Sequence, residues 1–165
     1  IAYPGGAVLE KRAIGGNRHA YDFPKAFPNK NDMKFSFSGL KTSLLYTIQK
    51  MSESEVKDHY SDLCASYQWA AIQQLVRKTG HAWDHGHFKS LGLSGGVANN
   101  KSLRQEMNNL SGAKGADLLC AEPKYTGDNA SMIAYAAHVD SFALWPNDGQ
   151  ALTFDSSLQL EDVHT

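Results

Sequence analysis

An alternation of short apolar segments with helical segments over residues 89–144 constrains the fold of this chain most. Residues 89–93 predict a strand, residues 99–109 a helix, residues 116–121 a second strand and residues 128–144 a second helix. This order predicts an α/β fold in which the two strands are parallel and joined by a right-handed crossover. Ligands bind at the carboxyl ends of such strands, so the loops that follow the strands form the candidate site.

The first candidate loop, residues 94–100, contains the pair Gly95-Gly96 and the pair Asn99-Asn100. Glycines let a ligand approach the backbone closely, and the N–H groups at a helix start favour an anion. Either Asn is suited to cap the helix or to hydrogen-bond a ribose or base. An ordinary strand-to-helix turn with an Asn cap explains the pattern equally well, because the sequence has neither a Rossmann nor a Walker motif.

The second candidate loop, residues 126–129, places Asp128 after Gly127 at the start of a predicted helix. A helix N-cap is the commonest reason for an Asp at such a position. The alternative is a carboxylate at the ligand edge that binds a metal ion or a magnesium-bound phosphate. The residue pattern alone favours the cap. Together the two loops are predicted to form one wall of an active site.

Three histidines, His81, His85 and His87, precede the first predicted strand. His81 and His85 have the spacing of metal ligands on one helix face. No Glu follows His81, so the zinc-protease motif is absent. Because the segment lies at the edge opposite the candidate loops, it is interpreted as a solvated helix end, with metal binding as the lesser alternative.

The part of the chain before these histidines predicts a loop and two helices. Residues 17–34 are rich in Asn, Pro, Lys and Asp and predict the loop, and residues 38–50 predict the first helix. Ser52 and Glu55 match a capping box ahead of a long helix that is expected to end near residue 79. The apolar residues of that helix form two stripes, so it is expected to be buried on more than one side.

Charge is unevenly distributed along the chain, although the net charge is −1. Residues 1–50 contain eight Lys and Arg against three Asp and Glu, whereas residues 115–165 contain one against eight. The basic end could face phosphates, or the two ends could be differently charged solvated surfaces.

Composition also bears on the location of the protein. No run of about 18 apolar residues occurs, so no membrane-spanning helix is expected, and no secretory signal is recognisable. Cys64 and Cys120 are interpreted as buried thiols rather than a disulfide, which predicts a reducing, cytoplasmic setting. The chain opens at Ile1 rather than Met, so it is expected to be a fragment.

Four segments carry a resemblance to a known family. They are Tyr3-Pro4-Gly5-Gly6 with Glu10-Lys11; Phe35-Ser36-Phe37-Ser38-Gly39-Leu40-Lys41-Thr42; Ser94-Gly95-Gly96-Val97 with Asn100 and Leu103-Arg104; and Gly127-Asp128-Asn129-Ala130 with Met132-Ile133-Ala134. In these segments the chain resembles the carboxy-terminal half of the TsaD family of tRNA threonylcarbamoyladenosine synthesis proteins. The segments occur in the family's order, and the second of them is a highly specific string.

The resemblance implies an actin-like ATPase fold of the ribonuclease H-like ASKHA class, in which nucleotide lies between two lobes. Residues 1–165 would form the second, C-terminal lobe with an added helical segment, and the first lobe would be absent from this chain. The implied reaction transfers a threonylcarbamoyl group from threonylcarbamoyl-adenylate to the exocyclic amine of adenosine 37 in tRNA. The fragment alone is expected to be inactive, because a cleft between lobes needs both lobes.

The resemblance also implies roles for individual residues. Gly6, the second glycine of the expected Pro-Gly-Gly turn, and Asn100 match positions that contact the adenylate. Gly95 and Gly96 are expected to contact the same ligand. Glu10 falls where some members of the family place a carboxylate near the nucleoside.

Asp128 matches the aspartate with which the family binds one divalent metal ion, iron or zinc, per full-length subunit. The other ligands in the family are two histidines of the first lobe, so this role is not transferred to His81 or His85. The metal would act as a Lewis acid on the carbamoyl group.

The sequence departs from the family pattern at two places. Residues 98–100 replace the common Ser-Ala-Asn, and an alignment on Asn100 keeps Leu103 and Arg104 in register. Gly127 interrupts the usual Cys-Thr-Asp-Asn, so this loop is expected to be more flexible.

The partners implied by the resemblance are tRNA, threonylcarbamoyl-adenylate, ATP, and TsaB-like and TsaE-like proteins, with a homodimer as a further candidate and no membrane. The alternative function is a non-catalytic scaffold paralogue of the same fold, although a scaffold has no need for Asp128 or Asn100. A metalloendopeptidase, the old label of the family, has less support because the chain supplies no protease base and zinc pair.

Overall fold

The computed structural model describes residues 5–127 and 130–139. The chain divides into two units, residues 1–127 and residues 128–165, and the helix α6 (Ala130–Val139) is the described element of the second unit. The elements described in the first unit are α1 (Gly5–Arg12), α2 (Ser38–Gln49), α3 (Glu53–Asp58), α4 (Tyr60–Trp83), β1 (Ser90–Leu93), α5 (Lys101–Ala113) and β2 (Asp117–Cys120), with 3-10 turns at Gly96–Asn99 and Pro123–Tyr125.

The predicted pair of parallel strands is confirmed. β1 and β2 pair in parallel, with Ser90 opposite Asp117 and Leu93 opposite Cys120, and α5 connects them. One face of the sheet packs on α4 and α5 around Leu103, which is 2% exposed. Burying a side chain of this size contributes roughly 1.5–3 kcal/mol relative to an exposed position. The other face of the sheet is exposed in the described part of the chain.

The helix that connects the strands differs in detail from the prediction. A 3-10 turn covers Gly96–Asn99, and α5 begins only at Lys101 and continues to Ala113, beyond the predicted end at residue 109. Gly112 is therefore inside the helix, and Gly115, with a φ of 65°, follows its C-cap. Gly115 has the left-handed conformation that commonly terminates a helix, whereas Gly112 is tolerated within the last turn.

The helix predicted for residues 128–144 is confirmed over the residues that the structure describes there. It is described over Ala130–Val139, and the rest of the predicted helix, including Asp128, lies outside the described residues. No described helix is long and apolar enough to cross a membrane.

Helix α4 is the central element of the first unit, and three groups of buried residues pack on it. One group contains Leu63 and Phe23, a second contains Cys64 and Ala13, and a third contains Ile72 of α4 with residues of α5 and the sheet. The prediction that this helix is buried on more than one side is confirmed, because small and apolar residues surround it.

The predicted long helix after Ser52 is in fact two helices. The capping box is present, but α3 ends at Asp58, and α4 runs from Tyr60 to Trp83 rather than ending near residue 79. His59 separates the helices with φ −98° and ψ 11°, and its ring meets Tyr21 edge-on at 6.3 Å between centroids. This contact joins distant parts of the chain, so helical periodicity could not reveal it.

The capping box makes a pH-dependent contribution to stability. The Ser52 backbone N–H donates to the Glu55 carboxylate at 2.8 Å, and this bond, together with that from the Ser52 hydroxyl, holds the pKa of Glu55 below its ordinary value of 4.5. Because the pKa is lowered by folding, the stabilisation is present above the unfolded pKa and is lost as the pH falls through the folded pKa.

We expect Ser52→Ala to lower the free energy of unfolding by about 1 kcal/mol at neutral pH, because the hydroxyl that caps the Glu55 N–H is removed. Urea unfolding of both proteins along a series of pH values measures this difference. It should shrink as the pH falls below the ordinary pKa of Glu55. A difference that stays constant into the acid range would contradict a contribution from the carboxylate.

An irregular segment, residues 17–36, lies along α4 and is called the strap here. It contains the predicted loop at residues 17–34, which is confirmed to have no helix or strand. Gln74 accepts from the Ala26 N–H at 2.8 Å and donates to the Ser36 carbonyl at 2.6 Å. Lys78 is 2% exposed and donates to the carbonyls of Asn29 and Asp32. Buried polar side chains of α4 thus satisfy backbone groups that the strap could not pair by itself.

The cysteine prediction is confirmed in part. Cys64 and Cys120 are both free thiols, and Cys64 is buried as expected. Burial raises the pKa of the Cys64 thiol, and the charge of Arg12 partly opposes this. Cys120 is only half-buried, because it ends β2 at the edge of the sheet.

Candidate functional site

The loops that follow β1 and β2 lie together at the carboxyl edge of the sheet. Gly95, with φ 86° and ψ 171°, precedes the 3-10 turn, and a side chain there would meet nothing within 4 Å. The Asn99 side-chain amide donates to the Thr126 hydroxyl at 2.6 Å, and Thr126 in turn donates to the Pro123 carbonyl at 2.8 Å. Thr126 is buried. The structure therefore brings residues 94–100 next to Thr126, as the sequence predicted.

Asn100, rather than Asn99, caps the helix. Its side-chain oxygen accepts from the Leu103 N–H at 2.9 Å, and its amide nitrogen donates to the Gln68 side-chain oxygen at 2.9 Å. The side chain thus holds the start of α5 against α4. Its contact with an adenylate stays a prediction.

Glu10 occupies the N-terminus of α5. Its carboxylate accepts from the Lys101 N–H at 2.7 Å, across 91 residues of sequence. A carboxylate is favourable there because the first N–H groups of a helix carry partial positive charge. The helix start, which was predicted to favour an external anion, is therefore bonded to a carboxylate of the chain itself. This bond joins α1 to the end of the glycine loop, residues 94–100.

Gly6 lies in a helix rather than in the expected turn. It belongs to the first turn of α1, and a side chain added to it would meet nothing within 4 Å. Gly6 and Glu10 are four residues apart, so they lie on the same side of α1. Gly96 also has open space around it, at the start of the 3-10 turn.

Arg104 is a positioning residue whose role was not predicted from the sequence. Its guanidinium donates to the Ala98 carbonyl at 2.5 Å and to the Ala121 carbonyl at 2.9 Å. It therefore links the 3-10 turn to the end of β2. The sequence indicates only that an Arg lies one turn into the helix after a glycine loop. Its two acceptors are backbone carbonyls, which a side-chain pattern cannot identify.

A cavity of about 330 Å³ lies between α1 and the start of α5. Its lining combines a carboxylate, amides, an ammonium and a hydroxyl with the aliphatic side of α1, a combination suited to a polar ligand with an apolar ring or stem. The residues that line it include Ala7, Glu10, Gln68, Asn99, Lys101 and Ser102.

The described residues contain no group of three or more potential metal ligands. Asp128, the predicted ligand, lies outside the described residues. His81 is half-buried in the last turn of α4, whereas His85 and His87 are exposed beyond its end. His85 therefore does not share a helix face with His81, which agrees with the interpretation of this segment as a helix end.

These features place the chain in the class of α/β proteins with a small parallel sheet. Its polar loops meet at the carboxyl edge of the sheet, where such proteins bind ligands. The profile of the family described as "TsaD: tRNA N6-adenosine threonylcarbamoyltransferase" matches residues 1–135. The chain belongs to this family, and membership implies the actin-like fold.

Curated relatives carry the same description. A tRNA N6-adenosine threonylcarbamoyltransferase of Syntrophotalea carbinolica is 39% identical over 136 residues, which cover 82% of this chain and 40% of the relative. That of Geotalea daltonii is 34% identical over 165 residues, which cover 93% of this chain and 48% of the relative. That of Thermosipho melanesiensis is 41% identical over 138 residues, which cover 84% of this chain and 41% of the relative. The chain thus spans less than half the length of these relatives.

Proposed function

We propose that the chain is the second lobe of a tRNA N6-adenosine threonylcarbamoyltransferase. The observation that carries the proposal is the bond between the Glu10 carboxylate and the Lys101 N–H. This bond joins two of the family-like segments, although 91 residues separate them, at the edge where α/β sheets bind ligands. The family resemblance and the contact between these two segments in the structure therefore support the same candidate site.

In the proposed reaction, the exocyclic amine of adenosine 37 in tRNA attacks the carbamoyl carbon of threonylcarbamoyl-adenylate, and adenylate leaves. Gly6, Gly95 and Gly96 would let the adenylate approach the backbone, which is open at all three positions. Asn100 would contact the adenylate from the start of α5, and Glu10 would lie beside the nucleoside.

The opposite wall of the cleft would come from the half of the relatives that this chain does not match, so the isolated chain is proposed to be inactive. TsaB-like and TsaE-like proteins are proposed partners of the complete enzyme.

The proposed metal ion is iron or zinc. Asp128 would supply one carboxylate ligand, and two histidines of the other lobe would supply further ligands. When bound, the metal would act as a Lewis acid on the carbamoyl group.

We expect Asp128→Ala, in a longer protein that contains this chain as its second half, to remove the bound metal and to lower the rate of transfer at least about a hundredfold. Elemental analysis and an assay of threonylcarbamoyladenosine in tRNA measure the two effects. Asp117→Ala is the matched control, because Asp117 is an exposed acid of β2 outside the proposed site. Unchanged metal content together with unchanged transfer in Asp128→Ala would refute the assignment.

A further inference from the structure

The strap exposes a row of positive charge. It contains four Lys or Arg residues against two Asp, and the side chains of Arg18, Lys25, Lys30 and Lys34 are all exposed. Within the described residues, Arg18 has one weak ion pair, with Glu106 at 3.8 Å, and the three lysines have none. Their charges are therefore available to an anionic partner.

Two further cations lie beneath the strap. The Arg77 guanidinium donates to the Ala26 carbonyl at 2.6 Å, and the buried Lys78 ammonium binds strap carbonyls, so both cations are held by neutral acceptors. Burial lowers the pKa of His81, the charges of Lys78, Lys30 and Arg77 lower it further, and the charge of Asp84 opposes them. The strap and the helix below it thus carry an excess of positive charge, of which the four cations of the strap are exposed.

The strap is held in place over a considerable length. Its hydrogen bonds to α4 begin at Asp62, which accepts from the Asn17 N–H at 2.7 Å, and extend to Lys78, which donates to the Asn29 carbonyl. These 16 positions of helix correspond to roughly 24 Å at about 1.5 Å per residue. Because the main chain is fixed by these bonds, binding a partner would cost less ordering entropy than it would in a free loop.

An aromatic platform stands at the first end of the strap. The Arg18 guanidinium lies 3.9 Å from the centre of the Trp69 ring, and the His19 ring meets Trp69 edge-on at 5.9 Å. Arg18 and Trp69 line a cavity of about 360 Å³ together with Lys101, whose backbone N–H donates to the Glu10 carboxylate. This cavity, which Glu106 also lines, borders both the platform and the start of α5.

We propose that the strap binds the sugar–phosphate backbone of RNA, with an unpaired base placed on the Trp69–Arg18 platform. Lys and Arg bind phosphates, and unpaired bases stack on aromatic rings and guanidinium planes. A row of cations that ends in such a platform fits a folded RNA with a loop better than it fits an anionic membrane. The inference rests on the proposed function, which supplies tRNA as the partner.

The test compares two triple variants of the whole chain in binding to a fluorescent anticodon stem–loop RNA at several salt concentrations. The strap variant is Lys25→Gln/Lys30→Gln/Lys34→Gln. The matched control is Lys41→Gln/Lys50→Gln/Lys57→Gln, which removes the same charge from exposed lysines outside the strap. Urea unfolding checks that both variants fold.

In the strap variant the slope of log affinity against log salt should be shallower by about two units, since each lost phosphate contact removes about 0.7. Its affinity should fall on the order of tenfold or more. The control should keep the slope of the unaltered chain. Trp69→Leu should weaken binding severalfold without changing the slope, because a stacking contact releases no counterions.

Three results would overturn the proposal: equal slopes in the two triple variants, no RNA binding by the unaltered chain, or affinity for duplex DNA or phosphatidylserine vesicles equal to that for the stem–loop. The transfer assay with Asp128→Ala is independent of these measurements. Loss of the proposed enzymatic function and loss of the RNA surface would therefore be told apart.

Discussion

Replacing Gly16 with Ala is expected to lower the free energy of unfolding by roughly 3 kcal/mol. A Cβ at this position would stand 2.2 Å from the Ser61 carbonyl oxygen, 2.5 Å from its carbon and 3.0 Å from the Ala65 Cβ. The first two are backbone atoms of α4, so no side-chain rotation relieves the overlap. The segment after α1 would have to move away from α4.

That displacement would also reach the candidate site, because α1 carries Glu10 to the start of α5. Urea unfolding measures the loss of stability. Gly112→Ala is the matched control, because Gly112 lies within α5 and an added Cβ would meet nothing within 4 Å. The control should be neutral or stabilising by about 0.5–1 kcal/mol, since Ala is the better helix former. If Gly16→Ala were as stable as the control, the close approach of Gly16 to α4 would be disproved.

Replacing Lys78 with Met is expected to cost about 3 kcal/mol, although Met fills a similar volume without strain. The ammonium donates to the carbonyls of Asn29 and Asp32, and the side chain is 2% exposed. Its removal leaves two backbone acceptors without their donor, at about 1–3 kcal/mol for each group that stays buried.

The loss should appear in urea unfolding and as faster proteolysis within the strap. Lys57→Met, at an exposed position of α3, is the matched control and should change stability by less than about 0.5 kcal/mol. Equal stability of the two variants would show that the strap does not depend on the buried ammonium.

Local patterns in the sequence predicted the features that local physics determines. The parallel pair β1 and β2 followed from alternating strand and helix periods, and the capping box at Ser52 and Glu55 followed from its spacing. The broad burial of α4 followed from apolar residues on several sides. Each of these patterns lies within a short stretch of the chain, where the periodicity of the sequence directly indicates the secondary structure.

Contacts between distant segments could not be predicted in this way. Lys78 and Gln74 are polar, so apolar periodicity does not indicate their burial, but they are buried because the strap lies over them. Helix α1 begins with two glycines, which are poor helix formers, and it is held by its contacts with α4. In both cases tertiary packing outweighs the local preference.

The candidate site was predictable in its position and less so in its chemistry. Sequence order placed the glycine loop and the loop containing Thr126 at one edge, and the Asn99–Thr126 bond is found there. Glu10 came from the family resemblance, which also selected Asn100 from the pair that the loop pattern indicated. In the structure both side chains bond to the start of α5. Their roles toward an adenylate, and the metal role of Asp128, which lies outside the described residues, remain predictions.

The most direct measurement of the central proposal is threonylcarbamoyladenosine in the tRNA of bacteria depleted of their own threonylcarbamoyltransferase. These cells would express a chimera in which the unmatched half of the Geotalea daltonii relative is joined to residues 1–165. The proposal predicts that the modified nucleoside is restored by the chimera and is lost again in its Asp128→Ala variant. A folded chimera that yields no modified nucleoside, or an Asp128→Ala chimera that yields as much as the unaltered one, would contradict the proposal.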